Sequence, residues 1–129
     1  GTLLENLQHK LTNITEERIN EALVLTNVQG FVEALPDGLN TLVGDKGGFL
    51  STGQKARLAF ARALLLAPKI LVLDEITSAL DQKSSNYIIQ TILKLRKSLT
   101  IIAISHDPLV LDQAEKLYEL TDYKLNQIK

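Results

Sequence analysis

Two adjacent acids follow an aliphatic run near the middle of the chain. Ile70 to Leu73 is a continuous aliphatic segment of strand length, and Asp74 and Glu75 come directly after it. Such a segment is typical of a parallel strand covered on both faces, and open α/β sheets bind ligands where their strands end. Asp74 could hold a magnesium ion, and Glu75 could orient or deprotonate an attacking water. The pair could also simply begin a solvated loop, but the sequence Ser78 to Asp81, which follows at once, favours function.

A histidine follows a second aliphatic run. His106 comes two residues after Thr100 to Ile104, and Gln82 to Lys97, between the two runs, has an amphipathic pattern. Strand, long helix and strand predict a parallel pair with a right-handed crossover. His106 should therefore lie beside the two acids, where a neutral imidazole could contact a terminal phosphate and couple it to the water. A lone histidine is otherwise a plain polar residue, and we interpret His9 as exposed helix surface.

A third candidate is the start of a helix predicted from about Ser51 to Leu66 and ended by Pro68. A helix N-terminus collects unpaired N–H groups and the positive end of the dipole, so Ser51 to Gln54 could bind an anion. Gly53 would let a phosphate approach the backbone, and the Ser51 hydroxyl would add a donor. The alternative is an ordinary capped helix start. Three basic residues further along could form a basic lip or a solvated face: Lys55, Arg57 and Arg62.

The usual phosphate-binding loop is missing from these 129 residues. The pattern G-x-x-x-x-G-K-[ST] fits from Gly48 to Gly53, but Gln54 then stands where lysine is required. From Gly44 the fifth residue is Phe49, and no other register fits. The chain therefore has residues that could polarise water but not the loop that holds phosphates.

The remaining elements are predicted from local signals. Thr2 with Glu5 forms a capping box for a first helix, and Thr15 caps a second, followed by acids that the helix dipole favours. A third short helix, residues 28–34, precedes a Pro-Asp-Gly turn and a glycine-containing loop at 39–50. The tail, residues 116–125, is predicted to form a hairpin.

Composition limits the possible classes of protein. The chain supports one domain, or two subdomains sharing a core, and with 45% hydrophobic but 5% aromatic residues that core must be aliphatic. A net charge of −1 gives no sign of a nucleic-acid surface. Cysteine is absent, so disulfides are excluded. No apolar run approaches the roughly 18–20 residues of a membrane span. The absence of methionine suggests a piece of a larger protein.

Taken together, these residues resemble the nucleotide-binding domain of an ABC transporter. The matching motifs are the signature at Leu50–Gln54, Walker B at Ile70–Asp74 with its glutamate at Glu75, the D-loop at Ser78–Asp81 and the H-loop histidine at His106. Two looser matches are the segment after the Q-loop, at residues 1–7, and the loop that precedes the signature in exporters, at residues 41–47.

The resemblance implies an α/β fold: half of a RecA-like P-loop NTPase core with mostly parallel strands, plus an α-helical signature subdomain. Residues 1–53 would be the helical subdomain and residues 54–129 the C-terminal half of the ATPase core. Glu75 and His106 would be catalytic, and Asp74 would bind Mg²⁺. The ATP-binding residues would be Ser51, Thr52, Gly53, Gln54 and Asp81.

The implied function is ATP hydrolysis coupled to export. The chain would form a head-to-tail dimer with a second nucleotide-binding domain, its signature closing over ATP held by that partner. It would contact the transporter's transmembrane domain at the cytoplasmic face of a bacterial inner membrane, without a span or nucleic acid of its own. Lacking the P-loop, the chain alone should be inactive, with apolar sheet edges and faces left open.

Two features depart from the family pattern, and two other functions remain open. Thr52 replaces the first glycine of the signature, which requires a negative φ there, and Ser105 to Pro108 differ from the commoner exporter sequence. The chain could instead belong to a non-transport ABC ATPase of the DNA-repair, chromosome or translation type. It could also be a non-catalytic docking fragment, although such a fragment need not keep Glu75 and His106.

Overall fold

The computed structural model describes residues 1–9, 11–44 and 49–129. The helices are α1 (Leu3–Gln8), α2 (Glu16–Leu25), α3 (Gln29–Glu33), α4 (Thr52–Leu65), α5 (Gln82–Leu95) and α6 (Pro108–Leu111), with a short 3-10 helix at Gly38–Asn40. The strands are β1 (Ile70–Asp74), β2 (Thr100–Ile104), β3 (Tyr118–Thr121) and β4 (Lys124–Gln127). Part of the predicted 39–50 loop, and of the exporter-like stretch at 41–47, lies outside the described residues.

The two predicted helix caps of the N-terminal region are present. The Glu5 N–H donates to Thr2 Oγ1 at 3.1 Å, and the Thr2 N–H donates to Glu5 Oε2 at 2.8 Å. Thr15 Oγ1 accepts from the N–H of Arg18 at 3.4 Å. These side chains satisfy N–H groups that a helix start otherwise leaves unpaired, which explains why α1 and α2 begin where they do.

Helices α1 to α4 bury a first cluster, here called the helical core. Three residues of α2 and two leucines of α1 contribute to it. Its buried members are Leu3, Leu7, Ile19, Ala22, Leu23, Val28, Val32, Leu50, Ala61 and Leu65. The cluster is aliphatic, as the composition predicted.

Strands β1 and β2 are parallel, as predicted from the strand–helix–strand pattern. Their register pairs Ile70 with Thr100 and Asp74 with Ile104. Helix α5 connects them and begins at its N-cap, Asp81. Because parallel strands end at the same edge, this pairing places the residues after β1 beside those after β2.

Only one face of this two-stranded sheet is covered. A second cluster, here called the sheet core, consists of Phe60, Leu71, Leu73, Ile88 and Leu95. On the other face, here called the open face, side chains retain half or more of their exposure: Ile70 59%, Val72 60%, Ile102 50% and Ile104 54%.

The prediction that both strands are buried on both faces was therefore wrong. Among the described residues this sheet contains only β1 and β2. No described element packs on its open face. The expectation of an uncovered apolar sheet surface, made from the absence of the P-loop half, is confirmed.

The tail forms the predicted hairpin. Strands β3 and β4 are antiparallel, with Leu120 opposite Leu125. In the described part of the chain, no helix combines the length and the apolar character needed to cross a membrane.

Candidate functional site

The ends of β1 and β2 bring a carboxylate and an imidazole together. Glu75 Oε1 lies 3.6 Å from His106 Nε2. The Glu75 backbone leaves the strand with a φ of 47°, and its N–H donates to the Ile104 carbonyl at 2.8 Å. The neighbouring strand therefore fixes the position from which the glutamate side chain reaches the histidine. The structure places these two residues together, as the sequence predicted.

Both side chains can reach solvent. That of Glu75 is 36% exposed and that of His106 is 97% exposed. A water molecule can therefore approach the carboxylate without any rearrangement. No local pattern indicates that the imidazole would be this exposed.

Asp74 is the last residue of β1 and is exposed. It belongs to the open face, since exposed and buried residues alternate along the strand from Ile70. Among the described residues there is no cluster of three acidic, histidine or cysteine side chains. A single carboxylate still suits Mg²⁺, which proteins commonly hold through one or two carboxylates together with substrate phosphates.

The start of α4 is a complete capping box. Ser51 Oγ accepts from the Gln54 N–H at 3.1 Å, and Gln54 Oε1 accepts from the Ser51 N–H at 2.8 Å. The N–H groups of Thr52 and Gly53 find no acceptor among the described residues. Ser51 and Thr52 are exposed, so this end of the helix is accessible. Thr52 also has the negative φ that its β-branched side chain requires.

Gly53 is buried against α5. A Cβ built on Gly53 would lie 2.8 Å from Ser84 Cβ and would overlap the Ser84 hydroxyl. This packing by itself explains why position 53 carries no side chain. The approach of a phosphate to Gly53, which the sequence suggested, stays a prediction.

Asp81 caps α5 with both of its carboxylate oxygens. Oδ1 accepts from the Ser84 N–H at 2.9 Å, and Oδ2 accepts from the Ser84 hydroxyl at 2.9 Å. The backbone hydrogen bond from Ser84, followed by its side-chain bond, lowers the pKa of Asp81. In this chain Asp81 is a helix cap, and its predicted contact with a nucleotide remains a prediction.

The predicted site residues thus occupy two places. Asp74, Glu75 and His106 lie at the edge of the sheet, whereas Gly53 and Asp81 meet at the contact between α4 and α5. No hydrogen bond or ion pair between described residues joins the two groups. Ser84 was not among the predicted site residues, because nothing in local spacing shows which residue a buried glycine will face.

Comparison with known proteins identifies the family. The family model described as "ABC transporter" matches residues 2–78. P-glycoprotein 14 of Caenorhabditis elegans is 48% identical over 106 residues, which is 82% of this chain and 8% of the relative. The ABC-type transporter fsqE of Aspergillus fumigatus is 42% identical over 130 residues, 99% of this chain and 10% of the relative. The mitochondrial potassium channel ATP-binding subunit of Xenopus tropicalis is 38% identical over 120 residues, 93% and 17% respectively.

The chain belongs to the ABC transporter family, and it resembles part of the nucleotide-binding domain. It spans 8–17% of the length of these three relatives. All three come from eukaryotes, so they give no support to the bacterial origin that the sequence analysis expected.

Proposed function

We propose that the chain contributes the water-activating part of the ATP-hydrolysing site of an ABC exporter. The observation that carries this proposal is the 3.6 Å approach of Glu75 Oε1 to His106 Nε2. It joins the ends of two adjacent parallel strands, where α/β folds bind their ligands.

Glu75 orients or deprotonates the attacking water, and His106 contacts the terminal phosphate. The partial exposure of Glu75 leaves room for that water. The backbone hydrogen bond from Glu75 to Ile104 fixes the main chain from which the carboxylate extends. A positioned general base of this kind contributes roughly 10²–10⁴-fold to the rate.

The chain has only some of the residues needed to hold Mg²⁺ and ATP. Asp74 offers the single carboxylate that a phosphate-bound Mg²⁺ needs. The ion would neutralise negative charge on the phosphoryl group that is transferred. The sequence has no loop of the G-x-x-x-x-G-K-[ST] type to hold the phosphates. The 129-residue chain alone should therefore bind ATP poorly and hydrolyse none.

The start of α4 serves ATP held by a second nucleotide-binding domain. Its N–H groups at Thr52 and Gly53 have no acceptor among the described residues and, with the Ser51 hydroxyl, suit a γ-phosphate presented from outside the chain. The Gln54 side chain supports them by closing the capping box. Asp81 would approach the same nucleotide near this interface in a head-to-tail dimer.

The two cores support a division into two subdomains, with Ala61 and Leu65 of α4 reaching from the second into the helical core. Residues 1–53 form most of the helical core and would contact the transmembrane domain at the cytoplasmic side of the membrane. Residues 54–129 carry the sheet core, as half of a RecA-like ATPase core. The apolar open face would be covered by the P-loop half. The name of the relative fsqE, an ABC-type transporter, supports a role in transport rather than in DNA repair or translation.

The test restores the missing half. An upstream P-loop segment from a relative is fused before Gly1, and ATP binding and phosphate release are measured separately. We expect Glu75→Gln to lower hydrolysis by about 10²–10⁴-fold while ATP binding is retained. Glu119→Gln, at an exposed carboxylate on β3, is the matched control and should leave the rate unchanged.

Two histidine variants provide a second test with a matched control. His106→Ala should lower hydrolysis, whereas His9→Ala, at an exposed site on the end of α1, should not. If the restored domain binds ATP but Glu75→Gln hydrolyses it at the wild-type rate, the proposed role of Glu75 is wrong. A restored domain that folds and never hydrolyses ATP would support the docking-fragment alternative. DNA binding that weakens steeply with salt would favour the non-transport alternative.

A further inference from the structure

A polar cleft of about 310 Å³ lies where α5 meets α4 and the turn between α2 and α3. It is separate from the edge of the sheet that carries Glu75 and His106. Its lining includes Asn27, Arg57, Asp81, Lys83, Ser84 and Tyr87.

Arg57 is held in this cleft by an aromatic ring. Its guanidinium carbon lies 5.2 Å from the centre of the Tyr87 ring, within the range of a cation–π contact. The Arg57 Nε is buried, and no described residue accepts a hydrogen bond from it. The two terminal guanidinium nitrogens likewise form no hydrogen bond with a described residue, and their N–H groups can donate to an acceptor in the cleft.

The charge balance of the cleft favours a negatively charged acceptor. Arg57 and Lys83 are positive. The one negative side chain of the lining, Asp81, has both oxygens engaged by Ser84. No described carboxylate forms an ion pair with Arg57. The amide of Asn27 adds a polar group on the opposite wall.

We propose that this cleft binds an oxyanion, a carboxylate or phosphate group, through the Arg57 guanidinium stacked on Tyr87. An Arg fork pairs well with planar or tetrahedral oxyanions. The group could belong to a free ion or to an acidic side chain of an adjoining protein segment. Neither Glu75 nor His106 lines the cleft, whereas Asp81, a predicted ATP-binding residue, does.

The experiment titrates the purified ¹⁵N-labelled chain and follows the backbone N–H signals of Gly30 and Tyr87, which line the cleft. Inorganic phosphate is one probe and N-acetylglutamic acid α-amide, which carries a side-chain carboxylate, is the other. Sodium chloride at equal ionic strength is the reference. We expect saturable shifts with at least one oxyanion and none with chloride. The probe that binds more tightly identifies which of the two sources the cleft suits.

Variants assign the binding to Arg57. Arg57→Gln should weaken it by about tenfold or more, because a charge-assisted hydrogen bond is lost. Arg62→Gln, on the exposed side of the same helix, should bind as the wild type does. Arg57→Lys keeps the charge without the planar fork and should give an intermediate affinity, which also serves if the glutamine variant fails to fold.

Two results would overturn the proposal. One is the absence of any oxyanion-dependent shift beyond that of chloride in the wild-type chain. The other is an unchanged dissociation constant in both Arg57→Gln and Arg57→Lys.

Discussion

The helical core and the sheet core differ in how completely they are covered. In the helical core, Leu3, Leu7 and Val28 have no solvent-exposed surface. The sheet, by contrast, buries Leu71 and Leu73 on one face and leaves Val72 and Ile102 at least half exposed on the other. Neighbouring residues of a single strand therefore experience opposite environments. The difference shows that the helical region can complete its own packing, whereas the sheet requires a further layer.

The largest expected effect comes from adjacent residues of β1. Leu73→Ala should lower the free energy of unfolding by about 2–5 kcal/mol, because it leaves a cavity in the sheet core. Val72→Thr, on the open face, should change it by about 0.5 kcal/mol or less. Urea unfolding followed by circular dichroism measures both.

The Leu73→Ala and Val72→Thr variants can be compared again after the P-loop half is restored. A layer over the open face would bury position 72, so Val72→Thr should then cost about 1–3 kcal/mol. An unchanged small cost in the restored domain would mean that the open face stays uncovered there.

A second prediction concerns two glycines. Gly53→Ala should destabilise the chain by about 1–3 kcal/mol, since the new methyl group meets Ser84. Gly30→Ala, where no atom lies within 4 Å of the added carbon, should stabilise helix α3 by up to about 1 kcal/mol. Thermal or urea unfolding compares them. Adding Ser84→Gly to Gly53→Ala should recover part of the loss. If the double variant is no more stable than Gly53→Ala, the loss of stability does not come from the contact with Ser84.

A third prediction concerns a hydrogen bond between the two regions. The Thr91 hydroxyl of α5 lies 2.7 Å from the carbonyl oxygen of Leu25, at the end of α2. Thr91→Val should cost about 1–3 kcal/mol, because this carbonyl loses its buried donor. Ser98→Ala, at an exposed residue whose hydroxyl bonds only the Leu95 carbonyl within its own turn, should stay within about 0.5 kcal/mol of the wild type. If Thr91→Val lowers the free energy of unfolding no more than Ser98→Ala does, the Leu25 carbonyl has found another donor in the variant.

The smallest expected effect depends on pH. Since the folded pKa of Asp81 is lowered, mainly by the backbone hydrogen bond from Ser84, its cap stabilises fully above the ordinary aspartate pKa. That stabilisation declines as the pH falls through the lowered value. Asp81→Asn keeps a capping oxygen but cannot titrate. Urea midpoints against pH should therefore fall less steeply in acid for Asp81→Asn, and parallel curves would contradict this assignment.

Local signals in the sequence predicted most elements. Capping residues such as Thr2 and Thr15 act within one turn, so the helices that follow them could be located without tertiary information. The aliphatic segments Ile70–Leu73 and Thr100–Ile104 predicted a parallel pair, and hence the meeting of Glu75 with His106.

Features that depend on distant residues could not be predicted in this way. The contact of Gly53 with Ser84 joins positions 31 residues apart in the sequence (84 − 53). Arg57, interpreted from its position as part of a basic lip or a solvated face, instead stacks on Tyr87 and buries its Nε. An aliphatic strand pattern also shows that a face can be covered, but not whether another element is there to cover it.

The left-handed backbone of Glu75 has a practical consequence for genetics. A φ of 47° is easily adopted by glycine and asparagine, and the bond to the Ile104 carbonyl uses only main-chain atoms. An allele that encodes either residue at position 75 would therefore leave the architecture of the chain intact. On the function proposed above, it would remove only the carboxylate that acts on water, so its product would be folded but inactive.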